Sequence, residues 1–188
     1  MKFVRTTRVL LVATAVALSG CISSRSFVDP SAPKVAYEDL RKRSEPLRLV
    51  VAVEFQRNGV HLPKVDTTLR DQVERTLRAT GLVTPVEAQS AGNISVTVNN
   101  LGDLGQAAAK GFGTGLTFGL VGSTVMDAYE MTVAMTVNGR EIRRTAVKHA
   151  LYTAIGNTTL PDGVEAVPIN VAFGKVVEQM LLRTLKDM

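Results

Sequence analysis

Residues 129–139 read Tyr129-Glu130-Met131-Thr132-Val133-Ala134-Met135-Thr136-Val137-Asn138-Gly139. Tyr129, Met131, Val133, Met135 and Val137 fall at every second position, the period of a strand with one buried face. Asn138-Gly139 follows, and both residues tolerate positive φ, so the stretch predicts a two-residue hairpin turn. The return strand then runs over about Arg140 to Ile155. A two-residue turn pairs Ile142 with Met135, which suits one face, but it also sets Arg144 opposite Val133. A guanidinium against an apolar partner calls for a β-bulge or an exposed edge at that point.

Outward from the hairpin, the same two periods recur. Ile94, Val96 and Val98 alternate with Ser95, Thr97 and Asn99, a second half-buried strand. Leu47 to Phe55 is rich in β-branched and apolar residues and reads as a third. Between them, Val65 to Ala79 carries Leu69, Val73 and Leu77 four residues apart, with Asp66 placed to cap a helix and Gly81 to end it. Beyond Pro161-Asp162-Gly163, Ile169 to Lys186 reads as a second helix with Phe173, Val176, Val177, Met180, Leu181 and Leu185 on one face and Pro168 suited to its first turn. The order β-α-β, interruption, β-β-α predicts a single α+β domain over residues 47–188, a mostly antiparallel sheet with two helices packed on one face.

The amino terminus has a different character. Lys2, Arg5 and Arg8 carry the only charges of the first eight residues, and an uncharged run continues from Val9 to Gly20, the layout of an export signal. The run is shorter than the roughly 18–20 residues that a spanning helix requires. It ends Leu18-Ser19-Gly20-Cys21, which resembles the lipobox of bacterial lipoproteins. The resemblance implies that residues 1–20 are removed by a prolipoprotein signal peptidase recognising Leu18, Ser19 and Gly20. It implies that Cys21 then carries a diacylglycerol and an N-linked acyl chain such as palmitate. Ile22 and Ser23 follow without the aspartate associated with inner-membrane retention, so the family pattern implies an outer-membrane anchor facing the periplasm. Cys21 is the only cysteine, so no internal disulfide can form.

Processing changes the charge. The chain has 22 Lys+Arg and 17 Asp+Glu, and loss of the three bases of the signal leaves 19 against 17, or +2. That near-balance removes the main support for a nucleic-acid partner. Residues 21–46 are polar and punctuated by Pro30, Pro33 and Pro46, which reads as a lipidated, flexible tether with an end-to-end distance of about 25–30 Å. A short helix near Tyr37–Arg43 fits within it. Arg41-Lys42-Arg43 reads as a solvated face, near enough to an anchor to meet anionic head groups.

The segment 101–126 is the least ordinary. No charge occurs from Gly111 to Met126, and Ala107, Gly111, Gly115 and Gly119 recur every fourth residue. As a helix it forms a small-xxx-small seam; as a strand it puts Phe112, Leu116, Phe118 and Leu120 on one side and mostly glycine on the other. Five glycines cost about 5 kcal/mol in a water-exposed helix, and sixteen residues of helix reach only ~24 Å, short of a bilayer core of ~30 Å. Packing on the domain's own core and insertion into a membrane leaflet or a partner subunit both remain, the latter through Phe112, Leu116, Phe118 and Leu120.

Chemical motifs are sparse. His61 and His149 have no second metal ligand at finger-like or i, i+4 spacing, so no metal site is expected. The glycines continue into neither Gly-Lys-Ser/Thr nor a dinucleotide fingerprint, and no Gly-x-Ser-x-Gly or His-Glu-x-x-His occurs. Asp103, Asp127 and Glu130 are the acids whose meeting in space would revive catalysis. No cofactor beyond the covalent lipid of Cys21 is expected. The chain also resembles small lipoproteins of uncharacterised function found in Gram-negative bacteria, through the Gly-rich stretch before Thr124-Val-Met-Asp127-Ala-Tyr129-Glu130. The expectation is a non-catalytic envelope lipoprotein, an accessory or binding subunit of an outer-membrane or periplasmic assembly. The alternative is a membrane-active or pore-forming homo-oligomer using the Gly-rich segment.

Overall fold

The computed structural model describes residues 24–102 and 123–188. Its strands are β1 (Ser24–Val28), β2 (Leu47–Arg57), β3 (Val60–His61), β4 (Val83–Pro85), β5 (Gly92–Asn100), β6 (Ser123–Val137) and β7 (Arg140–Ile155). Its helices are α1 (Asp66–Thr80) and α2 (Ile169–Lys186). The strands form one mixed, mostly antiparallel sheet in the order β1-β7-β6-β5-β2-β3, with β4 beside β2. The parallel pairings of β2 with β5 and β4 follow from α1, which returns the chain across the sheet before the next strand. The domain is therefore α+β with both helices on one face.

Alternation decides which face is buried. Leu49, Val51, Ile94, Val96, Val98, Met131 and Val133 line one side of the sheet, and Leu69, Val73, Leu77, Val176, Val177, Met180 and Leu181 of the helices close over them in one apolar core. On the other side, β5 presents Asn93, Ser95, Thr97 and Asn99, none of them buried. Near β1 that side has a second small cluster, Phe27, Ala150 and Tyr152, with Leu160 and Val164 packed on it.

The hairpin register is the expected one. Met135 faces Ile142 and Val133 faces Arg144, and the bulge lies immediately after, because Met131 faces Val147: two residues of β6 span three of β7. Ala146, within the bulge, takes φ 58°. Arg144 reaches past Val133 and donates to the carbonyl of Asp187, while Arg183 donates to the carbonyl of Lys148 at 2.9 Å. The end of α2 is thereby tied to both sides of the bulge, and the Arg144 cation sits where the helix carbonyls favour it.

Four expectations are corrected. Residues 21–46 do not form a tether throughout: Ser24–Val28 is an edge strand along Ile155–Leu151, and Phe27 is 1% exposed and stacks on Tyr152 at 5.3 Å. Val35 and Leu40 join the main core, and the helix expected at Tyr37–Arg43 is a single 3-10 turn over Tyr37–Asp39. Burial of these few apolar side chains outweighs the polar composition around them. Asp66 does not cap α1 with its carboxylate, which instead accepts from the Phe55 N–H at 2.8 Å and contacts His61 Nε2 at 2.7 Å. Pro168 stands just before α2, at φ −55° and ψ 148°, rather than within its first turn.

Gly92 lies between β2 and β6, opposite Leu49 and Val137. A Cβ there would sit 1.8 Å from the Thr136 carbonyl oxygen, a backbone atom that cannot turn aside. Gly92→Ala is expected to destabilise the domain by about 3 kcal/mol. Phe27→Ala should also lower stability by about 3 kcal/mol. Urea denaturation checks both, and an unchanged midpoint for Phe27→Ala would return residues 24–28 to the role of a free tether.

Candidate functional site

Three regions of the described structure collect polar or uncovered groups, and the strand register fixes where each lies. Ser24 pairs with Ile155, and Ile155 pairs on its other side with Ser123. The beginnings of β1 and β6 thus meet at one end of the sheet, two strand spacings or about 10 Å apart. Cys21 precedes Ser24 by three residues, a reach of about 10 Å, and Ser123 is where the chain re-enters the sheet after the Gly-rich segment. Cys21, Leu18, Ser19 and Gly20, and likewise Phe112, Leu116, Phe118 and Leu120, lie outside the described residues. What is described is the pair of strands that receive them.

The chain leaves β5 for the Gly-rich segment through a polar knot. Leu101 N–H donates to the Ala128 carbonyl at 2.8 Å. The Asn100 amide reaches Asp127 at 3.4 Å and hydrogen-bonds the Tyr129 hydroxyl, near Arg57. Burial first, then the Asp127 charge, pushes the Tyr129 hydroxyl up to about 12, so it stays neutral. Tyr129 and Phe55 both pack on Phe173, at 5.6 and 5.9 Å between ring centres, which ties this knot to α2. Asp127 and Glu130, candidates for converging acids, do not meet: they stand an odd number of residues apart on β6 and point to opposite faces. Asp103 lies outside the described residues.

The second region is a cleft of about 470 Å³ between β1, the end of β7 and α2, with Asp29, Lys34, His149, Glu165, Lys175 and Gln179 among its lining. Its polar groups serve the fold. Asp29 accepts from Ser31 N–H at 2.9 Å and Ser31 Oγ at 2.6 Å. Gln179 accepts from Val35 N–H at 2.9 Å and donates to its carbonyl at 3.3 Å, and Lys175 meets Glu165 at 3.4 Å. His149 is 4% exposed, and its Nδ1 accepts from Ala150 N–H at 2.8 Å. The neutral ring then carries its proton on Nε2. Burial holds the imidazole below its ordinary value, with the Ala150 carbonyl, 3.2 Å from Nδ1, and the Asp29 charge favouring the protonated ring and working against that shift. The burial gives this histidine a pH dependence.

The third region was not anticipated as a site. At the far end of the sheet the strands outrun the helices and leave a groove of about 420 Å³, lined by Leu47, Leu82, Val83, Met135, Val137, Ile142, Leu185 and Met188 with Arg41, Arg43, Arg140, Lys186 and Asp187 at its margin. Arg41 and Arg43 therefore lie beside the hairpin turn, not beside the entry of β1, because residues 29–46 carry the chain back along the sheet. The cluster is thus at the end of the sheet opposite Ser24.

Among the described residues no group of three or more His, Cys, Asp or Glu side chains is placed to hold a metal, and no helix is long and apolar enough to cross a membrane. No family model and no curated protein matches the chain. Solved structures with some likeness include PelC from Paraburkholderia phytofirmans, a dodecamer in two crystal forms. The form carrying a single Leu-to-Met substitution is 15% identical with a TM-score of 0.36, covering 88% of this chain and 97% of that one. A DUF4136 family protein from Bacteroides thetaiotaomicron is 9% identical with a TM-score of 0.34, covering 89% and 98%. Likeness at this level assigns no function, and the functional reading rests on the chain's own residues.

His149 and Asp66 set an acid sensitivity in two windows. His149 is held below 6.5 when folded, so the unfolded chain binds the proton more readily and stability falls as pH drops below about 6.5. Asp66 is held below 3.8 by the Phe55 N–H and His61, so its contribution is present above that value and disappears as pH falls through the lowered one. Urea midpoints should decline from pH 7.5 to 5.5 in the wild type and less in His149→Gln. Asp66→Asn should flatten only the decline below pH 4.

Proposed function

We propose that the chain is a non-catalytic lipoprotein of the bacterial envelope, exported by residues 1–20, lipidated at Cys21 and held on the outer membrane facing the periplasm. There it acts as an accessory or binding subunit of an envelope assembly. The observation that supports this reading is the alignment of Ser24, Ile155 and Ser123 across three adjacent strands. A lipid on Cys21 would hold that end of the sheet within about 10 Å of the bilayer surface. The Gly-rich segment, whose return to the sheet is at the same end, is then the part of the domain best placed to touch the leaflet. Phe112, Leu116, Phe118 and Leu120 are its apolar contacts. Two or three acyl chains suffice to keep the protein at the membrane, so these contacts orient the domain rather than anchor it.

Metabolic labelling with an alkyne-bearing palmitate tests the anchor. The wild type should take up label and sediment with membranes, and Cys21→Ser should take up none and accumulate unprocessed. An unlabelled wild type would sink the reading. For the contact, a double substitution Phe112→Asp and Phe118→Asp in the lipidated protein should increase the protease accessibility of the domain on liposomes, without releasing it from them.

A further inference from the structure

We propose that the groove beside the hairpin turn docks an acidic, amphipathic segment of a partner protein. The proposal deepens the binding-subunit reading above and rests on it. The floor of the groove is apolar, built from Leu47, Met135, Val137 and Ile142, none of them fully buried although all lie on the face that the helices cover elsewhere. The helices stop at Thr80 and Lys186, while β6 and β7 continue to Val137 and Arg140. Nothing among the described residues closes the floor.

The margin supplies the sign of the occupant. Arg41, Arg43 and Arg140 are exposed and come from two separate parts of the chain, and none forms an ion pair among the described residues. Lys186, the fourth cation, already faces Asp39 at 3.6 Å, and against these cations the margin has one acid, the exposed Asp187. Three separated guanidiniums suit several carboxylates better than one head group. The basic strip continues past the groove, since Lys42, Arg43 and Arg48 line the adjoining hollow with Glu45 as its acid. An apolar floor gives no purchase to a nucleic acid or a simple polysaccharide, so the matching chemistry is a peptide carrying Asp or Glu beside large apolar side chains. The apolar contacts provide affinity, and the margin charges provide selectivity and association rate.

Position weighs against two other occupants. Arg140 and Ile155 end the same strand, about 50 Å apart at ~3.3 Å per residue. With Cys21 anchored and β7 standing off the bilayer, a groove so far from Ser24 stays clear of the leaflet. A second copy inserting its opposite end would stack along the same axis and lift its own Cys21 off the membrane.

The test is selection from a random 12-residue display library with the processed protein as bait, in lipid nanodiscs if it is lipidated and in buffer if it is not. A failed lipidation result and a failed peptide result thus remain separate observations. Enriched peptides should carry Asp or Glu next to Leu, Ile, Met or Phe. Synthetic copies should bind at least tenfold more weakly to Arg140→Glu and to the double variant Arg41→Glu with Arg43→Glu, and should weaken with added salt. The substituted side chains are exposed, and circular dichroism confirms that each variant is folded; Arg140→Gln replaces any that is not. Equal binding to wild type and charge-reversed forms would overturn the proposal. So would enrichment without acidic residues, or saturable binding of dodecanoate where acidic peptides fail. Loss of a homo-oligomer in the same variants, with no peptide binding, would assign the groove to a second copy instead.

Discussion

The register between β6 and β7 is the constraint on which the rest of the molecule depends. It is the longest pairing in the sheet, and β7 also receives β1 along its last five residues. A slip of one residue would turn Met131, Val133 and Met135 away from the helices and expose the core. The Asn138-Gly139 turn fixes the register from one end. The bulge at Ala146 then absorbs the residue that does not fit, restoring Tyr129 and His149 to the same side. Both bonds from α2 to this region, from Arg183 to Lys148 and from Arg144 to Asp187, join the helix to the strand where the ladder is weakest. The bulge is therefore braced, and the two halves of β7 can differ in what they cover.

That division explains the two apolar clusters. Before the bulge, β7 offers Ile142 to the helix face and Arg143 to the other. Beyond it, Leu151 belongs to the main core while Ala150 and Tyr152 serve the opposite side, where Phe27 of β1 and the chain around Leu160 cover them. The strand thus needs cover on both faces near its end. A polar amino-terminal stretch was recruited to give it.

Legibility followed the length of the patterns. The strands at 94–98 and 129–137, the return strand from Arg140 and the helix from Ile169 to Lys186 repeat their period over enough residues to be read without partners. The Arg144 conflict even located the bulge, because a charged residue opposite Val133 has few geometric exits. β1 was not legible: Ser24-Arg25-Ser26-Phe27-Val28 offers one buried apolar side chain, and what makes it a strand is Tyr152, far away in sequence. Asp66 misled for a similar reason. Its position is right for a cap, but β3 brings His61 and the free Phe55 N–H closer than the helix's own amides. The groove was the least visible of all, since Arg41, Met135, Val137 and Leu185 become neighbours only through the topology.

The sheet edges bear on how such a groove could be used. An open edge invites another strand, and here both outer edges are partly occupied by the chain itself. On β2, between its short pairings with β3 and β4, Arg70 donates to the Val51 carbonyl at 2.7 Å and Asp66 accepts from the Phe55 N–H at 2.8 Å. On β1, Ser26 exchanges backbone bonds with Val167 at 3.1 and 2.8 Å. Side chains and a loop thus take up the main-chain groups that strand addition would need. Association by extending the sheet is disfavoured at both edges, and a partner must instead use side-chain surfaces. Of those, the open face of β5 is polar, and the groove at the hairpin end combines, among the described residues, uncovered apolar area with unpaired charge. A partner that bound there would leave the opposite end of the sheet, and whatever Cys21 attaches it to, undisturbed.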